Sequence, residues 1–270
     1  MIRILALLLP SLASVRGRFA REGDAQFKKR QIRPIRRKQI VRLLDRLPPG
    51  RVLDAPSGDL WLARTMAGRG FEVSAVDLLE EESTVAASGI HYVRGDLDEG
   101  LPQFADGTFD YITCVEGLEH LERPALVIRE FARVLSPRGF LLVTTPNVVS
   151  LRSRLKFLLF GYHDGFRRRP LFRSLDAPRD RPRAHITALH VQFLYYWLKA
   201  AGFSQIRTHP LPVRRLEGVL LFPLAGLVGG LAWIARKADA DRHYAEYLTL
   251  LASCPVLLSP TLILTAWKAE

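Results

Sequence analysis

The chain alternates short apolar runs of strand character with longer stretches of helical periodicity, and this alternation limits its folds more than any other feature. The runs are RVLDA (51–55), FEVSAVD (71–77), IHYVRGD (90–96), TFDYITCVE (108–116) and FLLVTTP (140–146). Between them lie helical stretches at Leu60–Gly70, EEESTVAAS and Arg123–Leu135, and a Ser136–Gly139 turn precedes the fifth run. Strands that alternate with helices join through right-handed crossovers into a parallel sheet covered on both faces. The expected class is therefore α/β, doubly wound, with a Rossmann-like core. An amphipathic helix over 36–47 precedes it, with Ile40, Leu43, Leu44 and Leu47 on one face and Pro48-Pro49-Gly50 as its stop.

Sheets of this kind bind ligands beyond the carboxyl ends of their strands. The acids of this chain fall there: Asp54 and Asp59 after the first run, Asp77 after the second, Asp96 after the third and Glu116 after the fourth. RVLDAPSGDLWLA has the layout of a nucleotide-binding strand, turn and helix, in which small residues let backbone N–H groups approach a ligand. It is not GxGxxG, so a pyrophosphate cradle is poorly supported. Asp77 can accept both hydroxyls of a ribose, and Asp96 with Leu97 can meet an exocyclic amine and a base face.

The ordered set VLDAPSGD, AVD, GDLDEGLPQFADGTFDYITCVEGLEHL and REFARVLSPRGFLLVTTPN resembles class I S-adenosylmethionine-dependent methyltransferases over about residues 50–147. The resemblance implies a seven-stranded, mostly parallel sheet that closes with an antiparallel last strand, here expected at 257–270. It implies S-adenosylmethionine as cofactor, with Asp54, Ala55, Ser57 and Gly58 at its methionine end. Asp77 would hold the ribose and Asp96 with Leu97 the adenine, with Leu78 and Val115 as further cofactor-binding residues. The turn departs from the family pattern: Pro56 lacks an N–H, and Asp59 replaces a small neutral residue. Such a change either alters cofactor affinity or turns Asp59 towards the cofactor's amino group.

The turn TCVEGLEHLERP carries Glu116, Glu119 and His120 at i, i+3 and i+4, which share a face on a helical turn. Two carboxylates and an imidazole form a partial site for Mg²⁺, Mn²⁺ or Fe²⁺. This ExxEH pattern is similar to the metal motif of ubiquinone-biosynthesis O-methyltransferases and of small-RNA 2′-O-methyltransferases. In both groups a further histidine follows the fifth strand. In RAHITALHVQFLYYW that position falls to His185, with His190 second. A metal would lower the pKa of an acceptor hydroxyl; without one, His120 or His185 could serve as general base. Acids at a helix N-terminus are also favoured by the macrodipole alone.

Charge bears on the acceptor. The formal net charge is +12, concentrated in two arms: residues 16–51 hold 13 basic and 3 acidic residues, and 152–183 hold 10 and 3. Such arms suit an anionic membrane surface, a phosphorylated substrate or nucleic acid. The first residues, MIRILALLLPSLASVRG, read as an uncleaved segment that leans on a membrane or packs on the core. VVSLRSRLKFLLFG (148–161) reads as a basic amphipathic helix, followed by an Arg-rich loop over 162–184. The stretch 217–237 holds 18 uncharged residues from Gly218 to Ala235, with four glycines and one proline. It is long enough to span a bilayer, but an interfacial or hairpin association, or a buried cover or dimer face, fits its composition better. These features point to O-methylation of a small-molecule, lipid-like or lipid-linked glycan acceptor, with peripheral attachment to the inner face of the cytoplasmic membrane. The alternatives are an RNA 2′-O-methyltransferase and a non-catalytic membrane-associated protein on the same fold. Cys114 and Cys254 form no disulfide framework, which suits a reducing compartment. The expected segments are 1–48 (basic, helical), 49–147 (cofactor core), 148–213 (acceptor side), 214–256 (apolar insert) and 257–270 (last strand).

Overall fold

The computed structural model describes residues 34–78, 89–166, 184–212, 215–238 and 241–270. The N-terminal apolar segment, the EEESTVAAS stretch and most of the Arg-rich loop lie outside the described residues. In chain order the elements are helix α1 over 34–44, β1 (Arg51–Asp54), α2 (Trp61–Ala67), β2 (Glu72–Asp77), β3 (His91–Arg94), β4 (Phe109–Val115), α3 (Pro124–Val134) and β5 (Leu135–Pro146). Then come α4 (Leu151–Phe160), α5 (Val191–Ala200), β6 (Phe203–His209), α6 (Arg215–Ala238), α7 (Arg242–Leu251), α8 (Cys254–Leu258) and β7 (Thr261–Lys268).

The seven strands form one sheet in the order β3-β2-β1-β4-β5-β7-β6. Pairings among β1 to β5 are parallel, and β7 runs antiparallel between β5 and β6. Period-two alternation sends neighbouring residues to opposite faces. Leu53, Ile112, Leu141 and Val143 pack under Val127, Ile128 and Phe131 of α3 and Leu194 and Leu198 of α5. Val52, Tyr111, Phe140 and Leu142 pack under Ile40 and Leu44 of α1 and Leu62, Ala63 and Met66 of α2. The strand order reverses beside β1, so the carboxyl ends of β1 and β4 open the crevice where such sheets take ligands.

Four sequence expectations are corrected. No turn interrupts 136–139: β5 runs unbroken from Leu135, with a register irregularity opposite Phe109–Tyr111 and Arg138 at φ 60°. The last strand begins at Thr261, because Pro255 opens the short helix α8. The apolar insert is one continuous helix of 24 residues rather than a hairpin, even with Pro223 inside it. Helix α4 is only weakly amphipathic, for Phe157, Leu158 and Leu159 at its end are all exposed. Asn147 ties α8 to the end of β5: its buried amide donates to the Val256 and Ser259 carbonyls, each at 2.8 Å. Among the described residues, one helical stretch, Leu221–Ala238, is long and apolar enough to cross a membrane.

Candidate active site

The first turn forms as its small residues allow. The Gly58 N–H donates to Asp77 Oδ2 at 2.8 Å, and the Ser57 N–H donates to the Val76 carbonyl at 2.9 Å. Both bonds fasten the end of β1 to the end of β2. Gly58 stands at φ 52°, a conformation that glycine adopts without steric cost. Leu60 takes a left-handed φ of 56° as well, unusual for a branched side chain, and its complete burial holds it there. Asp59 forms a 2.9 Å ion pair with Arg37, whose guanidinium lies 4.3 Å from the centroid of the Trp61 ring. The acid that departs from the family pattern therefore helps to anchor α1 over the turn.

Asp54 is buried, and its Oδ1 accepts from the Thr113 hydroxyl at 2.7 Å. Burial raises its pKa from 3.8 to about 7, against the lowering effect of the Thr113 bond. The sign follows from linkage. In the ligand-free protein this contribution is complete below pH about 4 and is lost as pH rises through about 7. Asp54→Asn should remove that slope, by up to a few kcal/mol at about 1.4 kcal/mol per unit. Denaturant unfolding of both proteins at the two ends of the window measures it, and parallel pH profiles would refute the assignment.

The remaining cofactor candidates are less alike than their spacing implied. Asp96 caps a 3₁₀ turn (Leu97–Glu99), its carboxylate accepting from the Asp98 N–H at 2.9 Å. Leu97 is buried in the core below it, whereas Leu78 is exposed and Val115 half-buried.

Glu116, Glu119 and His120 do not share a helical face. Glu116 stands at φ 53°, and only Leu118–His120 form a 3₁₀ turn. Glu116 consequently turns up to Arg36 of α1, with which it pairs at 2.7 Å, while Glu119 points inward and is wholly buried. Burial, and then the nearby Glu116 charge, push the Glu119 carboxyl well above the usual range. The Thr145 hydroxyl lies near enough to polarise it but makes no hydrogen bond.

A segment 64 residues away closes the site. The His120 Nδ1–H donates to the Ala184 carbonyl at 2.9 Å, since a carbonyl can only accept, and this leaves Nε2 with its lone pair. The Ile186 and Thr187 N–H groups both donate to the Glu119 carbonyl, at 2.9 and 3.0 Å, and the Thr187 hydroxyl donates to the Leu121 carbonyl at 2.5 Å. These bonds bring His185 edge-on to His120, ring centroids 4.8 Å apart. Glu119, His120 and His185 offer ligand atoms that all lie within 4.8 Å of one another. His190 is elsewhere, capping α5 by accepting from the Gln192 N–H at 3.2 Å. Burial lowers the His120 pKa, against the raising effect of the Ala184 bond, and so favours the neutral imidazole.

Buried polar atoms without a hydrogen bond gather here: Arg36 Nε, Ser57 Oγ, Glu116 Oε1, both Glu119 oxygens and Thr145 Oγ1. Folded proteins leave few such atoms, and a cluster of them at a strand-end crevice marks a place built for a polar ligand. Donors and acceptors are mixed among them. Arg36 was not legible as a site residue, being one of three consecutive cations on an amphipathic helix.

Comparison with known proteins agrees with this geometry. A family model described as a methyltransferase domain matches residues 28–208. The ubiquinone biosynthesis O-methyltransferase of Aliivibrio fischeri is 30% identical over 179 residues, covering 59% of this chain and 76% of that protein. The enzyme of the same description from Photobacterium profundum is 31% identical over 189 residues, covering 62% and 80%. Among solved structures, a SAM-dependent methyltransferase from Archaeoglobus fulgidus superposes with a TM-score of 0.56 at 17% identity, covering 90% of this chain and 99% of that one. One from Thermotoga maritima gives 0.52 at 16% identity, covering 93% and 96%. With the strand order, the acids that end β1 and β2 and the matched family model in agreement, the chain belongs to the S-adenosylmethionine-dependent methyltransferases.

Proposed function

We propose that the protein methylates a hydroxyl oxygen of an apolar acceptor presented at a membrane surface, with a divalent cation held by Glu119, His120 and His185. The observation that carries this reading is the three-residue cluster, whose ligand atoms lie within 4.8 Å of one another around a carboxylate with no hydrogen bond of its own. The relatives named as O-methyltransferases support the choice of oxygen, and the exposed apolar helix ends support the choice of acceptor.

S-adenosylmethionine, when bound, supplies a methyl group made electrophilic by its sulfonium. Arg36 is suited to its carboxylate, Asp54 and Ser57 to the amino-acid end, Asp77 to the ribose diol, and Asp96 and Leu97 to the adenine side, with Leu78 and Val115 beside the cofactor. A divalent cation at the cluster would lower the pKa of the acceptor hydroxyl. The chain's own part is to hold and aim the reactants. The Ala184 carbonyl takes the His120 Nδ1–H and so fixes the tautomer that leaves the Nε2 lone pair for a ligand, an arrangement typical of metal-ligating histidines. Once the acceptor oxygen is aligned with the methyl group, positioning supplies much of the rate.

A second reading rests on the same nitrogen: a neutral His120 with a bare Nε2 can take the acceptor proton directly. Chelation separates the two. Activity on membrane lipid extracts with labelled cofactor should fall at least about 100-fold after metal removal and return with Mg²⁺ or Mn²⁺. Undiminished activity in the metal-free enzyme would leave His120 as the base.

A further inference from the structure

We propose that helix α6, together with the free end of α4, is an interfacial docking surface for an anionic lipid bilayer. This rests on the membrane-surface acceptor read above and names the part of the chain that meets the membrane. One side of α6 belongs to the fold: Leu221 and Ala225 are buried with Leu151, Leu257 and Leu258. The other side is open. Leu224, Leu227, Leu231 and Ile234 form an exposed stripe, and exposed Phe222 and Trp233 widen it. At 3.6 residues per turn these six positions cover an arc of roughly 200°. No charged residue lies between Gly218 and Ala235. Helix α4 lies against α6, and at its end Phe157, Leu158 and Leu159 are exposed by 49, 79 and 51%.

The surface is broad and irregular: the arc on α6 is roughly 200°, and three consecutive residues on α4 point about 100° apart from one another. Fluid hydrocarbon conforms to such a surface, and an amphipathic helix lying in the membrane plane sinks its apolar face into the headgroup and acyl boundary. A spanning orientation is excluded by the packing of Leu221 and Ala225 against the fold. The charge fits an anionic bilayer. Exposed Arg236 and Lys237 close the apolar stretch, and Lys237 Nζ lies 4.0 Å from the centroid of the Trp233 ring. A ring beside a cation at the end of an apolar helix is the usual anchor at headgroup depth.

The surface also leads to the site. Helix α4 follows directly from the carboxyl end of β5, and Phe166 beyond it meets the His185 ring edge-on at 5.4 Å. One short segment therefore joins the docking face to the catalytic cluster.

Flotation of the full chain with vesicles of phosphatidylcholine, with and without about one-third phosphatidylglycerol, tests the proposal. The wild-type protein should float with the anionic vesicles at least about tenfold more tightly than with the neutral ones, and less so at high salt. The double variant Leu227→Glu/Leu231→Glu should lose at least about tenfold in vesicle affinity while binding S-adenosylmethionine in calorimetry as the wild type does. Wild-type protein that floats with neither vesicle overturns the proposal, as does a double variant that floats like the wild type. A wild-type dimer that the double substitution dissociates, without vesicle binding, assigns the face to a second copy and equally overturns it. Methyl transfer to detergent-solubilised extract is measured in parallel. Vesicle binding without transfer supports the docking face and defeats the acceptor reading; transfer without vesicle binding does the reverse.

Discussion

Glu119→Gln should reduce methyl transfer by at least about 100-fold and abolish divalent-cation binding, while Glu116→Gln should leave cation binding within about tenfold of wild type. The two glutamates lie three residues apart, but the backbone gives them different tasks. At φ 53° Glu116 turns out of the 3₁₀ turn towards Arg36 at 2.7 Å. Glu119 turns in, beside His120 and His185. Glutamine keeps the shape of the side chain and removes the charge that a cation needs, so the loss would not reflect a cavity. The Glu116 substitution should act on the cofactor instead. Without its carboxylate partner, the Arg36 guanidinium is left half-buried, and KM for S-adenosylmethionine should change more than kcat. Titration of Mn²⁺ into each variant, with steady-state kinetics alongside, measures both effects. Equal losses of cation affinity in the two variants would sink this division of labour.

Much of the sheet was legible because a parallel strand buried on both faces leaves an apolar run of recognisable length, and β1, β2 and β4 fall within one or two residues of the runs that announce them. The acids at the ends of β1 and β2 were legible for the same reason: a charge that closes a buried strand has few structural uses. Long-range closure was not legible. Nothing in ALHVQ or RAHIT reveals that the backbone at 184–187 bonds to the Glu119 carbonyl and to His120, or that the Thr187 hydroxyl bonds to the Leu121 carbonyl. Family spacing ranked His185 above His190, but the physical difference is that His190 is occupied in capping α5. Arg36 was hidden because burial alone separates a site cation from its solvated neighbours. The surface of α6 was half legible. Its apolar length was plain, but which side faces the fold depends on Leu151 and Leu257, distant in sequence.

Gly117→Ala should destabilise the protein by about 3 kcal/mol or more, lowering Tm by roughly 6–12 °C, and should weaken S-adenosylmethionine binding at the same time. Gly117 has φ −114°, so no left-handed backbone demands a glycine there. Space does: a Cβ at this position would lie 2.1 Å from Pro56 Cδ and 2.6 Å from Pro56 Cγ, with Cys114 Sγ at 3.0 Å. Pro56 stands where the family pattern has a flexible small residue, and its ring fills the space that Gly117 leaves. The cofactor turn and the ExxEH turn therefore interlock, and Ser57 and Gly58 are positioned partly by a residue on β4's exit. This predicts a coupling. In a Pro56→Ala background Cγ and Cδ are gone, so Gly117→Ala should cost at least about 1 kcal/mol less than it does alone. Denaturant unfolding of the four proteins of this cycle measures the coupling, and calorimetry with S-adenosylmethionine shows whether cofactor affinity follows it. If Gly117→Ala costs the same in both backgrounds, the two turns are independent. The unusual Ala-Pro-Ser-Gly-Asp turn would then need a different explanation.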